Sequence, residues 1–116
     1  MEKILIIDDE KGIRDVLKEI VETIIPDNLI VLTAKNAESG LELAVQEKPD
    51  IIFCDINLPG KSGLEVIPEF RNTLKDVLII AMSGHSYYKE KAIMAGANFF
   101  LKKPFDVEEV EKILLE

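Results

Sequence analysis

Asp8, Asp9 and Asp55 stand just past the ends of two short apolar runs: Ile4-Leu5-Ile6-Ile7 leads into the first two, and Ile51-Ile52-Phe53-Cys54 leads into the third. Acids gathered at one point repel one another, and a hard divalent cation with oxygen ligands, Mg²⁺ or Mn²⁺, relieves that repulsion directly. Ser83 and Lys103 follow two further apolar runs in the same manner. A carboxylate, a metal, a hydroxyl and an ammonium meeting at one place suit phosphoryl transfer. The incoming group carries about −2 charge, which metal and lysine offset. Its transition state is loose and asks the protein mainly for positioning. Carboxylates are able acceptors, forming aspartyl-phosphates.

Those residues meet only if the elements that carry them are neighbours. The chain alternates strand and helix signals, with strands over residues 3–7, 29–33, 51–54, 77–82 and 99–102. The runs at residues 4–7 and 51–54 are β-branched-rich and apolar throughout, the mark of parallel strands buried on both faces. Ile13, Leu17, Ile20, Val21 and Ile24 make one stripe at helical period. Asn36 is placed to cap a second helix that stops near Lys48-Pro49. The third helix runs from about Leu64 to Asn72, and Pro68 is tolerable there only in the first turn or at a kink. Gly96 suits a left-handed helix end, and Asp106 with Glu109 offers an acidic capping box for the last helix. Strands alternating with helices imply right-handed crossovers and a doubly wound α/β sheet, helices on both faces, in the flavodoxin-like order 2-1-3-4-5. Asp8, Asp9, Asp55, Ser83 and Lys103 then share its carboxyl edge, where open α/β sheets bind ligands.

At 116 residues, 47% hydrophobic and 31% charged, the sequence reads as one soluble domain. No apolar stretch approaches the ~18 residues that cross a bilayer, and the amino terminus enters a strand without a signal-peptide pattern. Cys54, the single cysteine, reads as a small buried hydrophobe in a reducing, cytoplasmic setting. The net charge of −8 argues against direct contact with nucleic acid, which needs clustered Lys and Arg.

The motifs Ile-Ile-Asp8-Asp9-Glu10, Asp55-Ile-Asn-Leu-Pro59-Gly60, Gly63-Leu64-Glu65, Ala81-Met-Ser83-Gly84, Gly96-Ala97 and Lys103-Pro104-Phe105 occur in one order along nearly the whole chain. In them the sequence resembles the receiver domain of bacterial two-component response regulators. The resemblance implies that Asp55 accepts a phosphoryl group from the phosphohistidine of a histidine kinase or phosphotransferase. It implies that Asp9, Asp55 and the backbone carbonyl of Asn57 hold Mg²⁺, with Asp8 acting through water, and that Ser83 and Lys103 contact the phosphoryl group. A cis Lys103-Pro104 bond and a switch are implied too. Ser83 moves toward the phosphate, Phe100 rotates inward behind it, and the fourth helix, fifth strand and fifth helix present the altered surface to an effector or output domain. Asn57 and His85 occupy positions that can tune the phosphate's lifetime.

Simpler roles stand beside these. Taken alone, Asp8-Asp9 reads as a solvated loop or a helix N-cap, a reading that Asp55 and Lys103 at the same edge disfavour. Ser83 reads as a helix cap, His85 as a loop residue, and Tyr87 and Tyr88 as helix-face packing. Without phosphate, Lys103 is expected to pair with Asp55, whose side chain can be exposed at the strand tip. A hydrolase working through an aspartyl-phosphate is disfavoured, since Asn57 stands where such enzymes place a general acid. A nucleotide binder lacks a glycine-rich loop after the first strand. A receiver that binds partners without phosphorylation is disfavoured because the edge positions carry competent residues. The expected assembly is a monomer or a weak phosphorylation-linked dimer. Residues 1–116 read as a single receiver without an output domain.

Overall fold

The computed structural model describes residues 2–115. Its elements are β1 (Glu2–Ile7), α1 (Lys11–Ile24), β2 (Leu29–Ala34), α2 (Ala37–Glu47), β3 (Ile51–Asp55), α3 (Gly63–Thr73), β4 (Leu78–Ser83), α4 (Lys89–Ala95), β5 (Phe99–Lys102) and α5 (Val107–Leu114). The five strands are all parallel and run in the order β2-β1-β3-β4-β5. The order inferred from the sequence is the order observed.

The strands alternate, and so split the core in two. Leu5, Ile7, Ile52, Cys54, Ile79 and Ala81 face α2, α3 and α4, meeting Ala37, Ala44, Val66, Ile67, Phe70 and Ala92. Ile4, Ile6, Ile51, Phe53, Ile80 and Met82 face α1 and α5, meeting Leu17, Ile20, Val21 and Val110. Both faces of β1 and β3 are therefore buried, which explains their unbroken apolar runs.

The helix ends follow local chemistry. Asn36 caps α2 by accepting from Ser39 N–H at 2.8 Å, and Asp106 and Glu109 form a reciprocal capping box on α5. Pro68 falls beyond the first turn of α3, which continues to Thr73. Tyr87 and Tyr88 belong to a separate 3₁₀ turn (Ser86–Tyr88) ahead of α4; Tyr88 packs against the core as expected, whereas Tyr87 is 69% exposed.

Candidate functional site

Each strand end delivers one group to the carboxyl edge. Asp8, first residue after β1, is fully buried. Its Oδ1 accepts from Glu10 N–H at 2.9 Å, and its Oδ2 accepts from Lys103 Nζ at 2.6 Å. Arg14 on α1 donates from Nη1 to the Asp8 carbonyl at 2.8 Å, so helix and acidic loop are tied together. Asp9, alongside, is exposed. Carboxylate oxygens of Asp8, Asp9 and Glu10 all lie within 4.8 Å of one another. This donor set of hard oxygens suits a small divalent cation.

Asp55 is the last residue of β3 and only 4% exposed, not free at the strand tip as the sequence suggested. The loop after it folds back: Gly63 N–H donates to the Ile56 carbonyl at 2.9 Å. A Cβ at Gly63 would stand 2.3 Å from the Asp55 carbonyl oxygen, so a larger residue would push this loop off the acceptor. Asp55 Oδ1 accepts from Asn57 N–H at 3.3 Å, and Oδ2 lies 3.5 Å from Lys103 Nζ. Burial pushes the Asp55 carboxyl above its ordinary range; Lys103 opposes the shift and the Asp8 charge adds to it.

Lys103 follows β5 through a backbone bond from its N–H to the Ser83 carbonyl at 2.8 Å, and the Lys103–Pro104 peptide is cis. Its ammonium sits between both buried acids. Burial alone lowers an ammonium's pKa, but the Asp8 hydrogen bond and the two carboxylate charges outweigh it, and the net direction is upward. The expected partner, Asp55, is thus the longer contact and Asp8 the shorter one. Both acids are buried, so the single ammonium faces two poorly solvated carboxylates at once.

Ser83 ends β4 and is fully buried. It caps no helix: its hydroxyl donates to Asn57 Oδ1 at 3.2 Å and accepts from His85 N–H at 3.1 Å. Phe100, paired in register with Ala81, is half-buried against the core on the α3–α4 face. His85 stacks on Tyr87 with ring centroids 5.1 Å apart. Sequence reasoning brought Asp8, Asp55, Ser83 and Lys103 to one edge correctly. It passed over Arg14 and the Glu10 carboxylate; the position of Arg14, one turn into a helix that starts beside the acids, was the available signal.

A buried pair of acids bridged by one lysine, at the carboxyl edge of a doubly wound parallel sheet, defines a class of phosphoacceptor module. The chain belongs to the response regulator receiver domain family, whose model it matches over residues 4–115. It is 34% identical over 113 residues to the nitrate/nitrite response regulator protein NarL of Escherichia coli strain K12, covering 96% of this chain and 52% of NarL. It is 29% identical to the sporulation initiation phosphotransferase F of Bacillus subtilis strain 168, covering 94% of this chain and 87% of that protein. A solved structure of the Vibrio cholerae chemotaxis protein CheY4 superposes with a TM-score of 0.87 at 27% identity, over 99% of this chain and 97% of that one. The chain spans about half the length of curated relatives such as NarL. Among the described residues, no helix is long and apolar enough to cross a membrane.

Proposed function

We propose that this domain takes a phosphoryl group onto Asp55 from a phosphohistidine of a histidine kinase or phosphotransferase. The observation that carries the reading is the ammonium of Lys103 lying 2.6 Å from Asp8 and 3.5 Å from Asp55 while both carboxylates are buried. A carboxylate oxygen of Asp55 bonds to phosphorus, the phosphorus–nitrogen bond breaks, and its electron pair returns to the imidazole. Lys103 neutralises charge on the phosphoryl oxygens, and the Ser83 hydroxyl donates to one of them. Asp9, Asp55 and the Asn57 carbonyl would hold a Mg²⁺ or Mn²⁺ ion, with Asp8 reached through water. When bound, the ion supplies charge neutralisation and alignment of the phosphoryl oxygens. Attack by water on the acyl phosphate then resets the domain.

The message travels by Ser83 and Phe100 to the surface formed by α4, β5 and α5, where an effector or output domain would read it. Asn57 and His85 flank the phosphoryl position and tune how long the state lasts. The hydrolase reading is weakened further by the Asn57 amide oxygen being occupied by the Ser83 hydroxyl. Nothing at that position can act as a general acid.

Acetyl phosphate with Mg²⁺ tests the proposal. Intact mass should rise by one phosphoryl group in the native chain and stay unchanged in Asp55→Asn. Continuous release of phosphate from an ester such as p-nitrophenyl phosphate, with no modified chain accumulating, would favour the hydrolase instead.

A further inference from the structure

We propose that the Asn57 side chain is a latch that holds the Ser83 hydroxyl away from the phosphoryl position in the unphosphorylated domain. A serine hydroxyl has one proton to donate. Here that proton is committed to Asn57 Oδ1 at 3.2 Å, while the His85 N–H occupies a lone pair on the same oxygen at 3.1 Å. Ser83 is fully buried, so water cannot substitute for Asn57 as its acceptor. Donation to a phosphoryl oxygen therefore requires this bond to break first. The exchange favours the phosphoryl oxygen, because hydrogen bonds to a charged acceptor are roughly twice as strong as neutral ones. The latch thus sets a threshold: it keeps the resting state populated without preventing activation.

Asn57 is well placed to sense the acceptor as well. Its backbone N–H donates to Asp55 Oδ1 at 3.3 Å, so one residue touches the phosphoacceptor through its main chain and the switch through its side chain. On the far side of Ser83, the bonded residue His85 carries a ring stacked on Tyr87 at 5.1 Å and edge-on to Tyr88 at 6.2 Å. Release of Ser83 frees the His85 amide and loosens this aromatic turn immediately before α4. Asn57 acts through Ser83 and is a positioning residue.

The proposal rests on the phosphoacceptor reading of Asp55, but its test needs neither metal nor phosphodonor. Asn57 is exposed, which makes its side chain replaceable without disturbing the core. The chain contains two tyrosines and no tryptophan, so intrinsic emission reports only on Tyr87 and Tyr88. Three-bond couplings at Ser83 would be measured beside that emission in the native chain, Asn57→Ala and Asn57→Asp. Asn57→Ala removes the acceptor; the minor Ser83 rotamers should gain about fivefold in population and tyrosine emission should change. Asn57→Asp keeps an oxygen in the same place and should retain the native rotamer and emission. Native-like couplings in Asn57→Ala, or equal release in both variants, would overturn the latch. A latch that behaves as described in a domain that takes up no phosphoryl group would count against the Asp55 reading alone.

Discussion

At the amino end of the sheet, Arg71 donates to the Gly96 carbonyl from Nε and Nη2, to Lys75 and Val77 carbonyls from Nη1, and to Asn98 Oδ1 from Nη2, at 2.6–3.2 Å. Asp50 there accepts the Lys3 N–H at 2.8 Å. At the carboxyl end, two buried carboxylates face the ammonium of Lys103. A guanidinium spread over neutral oxygens satisfies its donors and ties α3, β4 and the α4–β5 turn together, which is a purely structural use of charge. Two acids against one ammonium leave negative charge in excess, and burial makes that excess costly. The same sheet therefore spends its polar groups on cohesion at one end and keeps a charge deficit open for a ligand at the other.

Substitutions that treat the two ends alike should give unlike results. The largest effect is expected from Lys103→Met, which strands Asp8 and Asp55 in the interior; a loss of about 3 kcal/mol at neutral pH should appear in urea unfolding. That loss should shrink as pH falls, because protonated acids no longer need the cation. Arg71→Ala should cost about 2–3 kcal/mol, unchanged between about pH 5 and 9, with phosphoryl incorporation intact. If both variants showed the same flat pH profile, the contrast between the two ends would be lost.

Asp55→Asn should act on stability in the opposite direction. The folded chain keeps the Asp55 proton to higher pH than the unfolded chain, whose carboxyl titrates near the ordinary 3.8. Stability from this group therefore falls as pH rises from that value through the folded one. Removing the charge should raise the melting temperature by a few degrees at neutral pH, with the gain vanishing near pH 3. Lys103 shifts in the same direction but in an alkaline window: its folded value lies above the ordinary 10.5, so its stabilising contribution is present at neutral pH and is lost on going further alkaline. The smallest effect should come from Asp106→Ala, which cuts the α5 capping box at about 1 kcal/mol without altering phosphoryl uptake.

Strand order and the gathering of Asp8, Asp9, Asp55, Ser83 and Lys103 were legible because buried parallel strands announce themselves and each group lies at a strand's carboxyl end. The cap of α2 at Asn36 and the box on α5 were legible because capping is local. What escaped the sequence depends on packing between segments distant along the chain. The full burial of Asp8 beside an exposed Asp9, and the shorter contact of Lys103 to Asp8 than to Asp55, depend on how the residue after β5 reaches back across the edge to the ends of β1 and β3. The Ser83–Asn57 bond joins two loops and leaves no local trace. The tyrosines lie in a 3₁₀ turn ahead of α4, where His85, held to Ser83, enters in extended backbone and only Tyr88 reaches the core.

Two buried carboxylates against one ammonium leave the carboxyl edge electrostatically incomplete, and the proposed function requires it to accept a divalent cation through its acids. Calorimetric titration with Mg²⁺ in the native chain, Asp9→Asn and Asp55→Asn measures this directly, with thermal stability followed alongside. One saturable site is expected in the native chain, with a melting temperature that climbs with Mg²⁺ and at least a tenfold weaker affinity in each variant (about 1.4 kcal/mol). No uptake by the native chain, or uptake indifferent to both substitutions, would contradict that expectation.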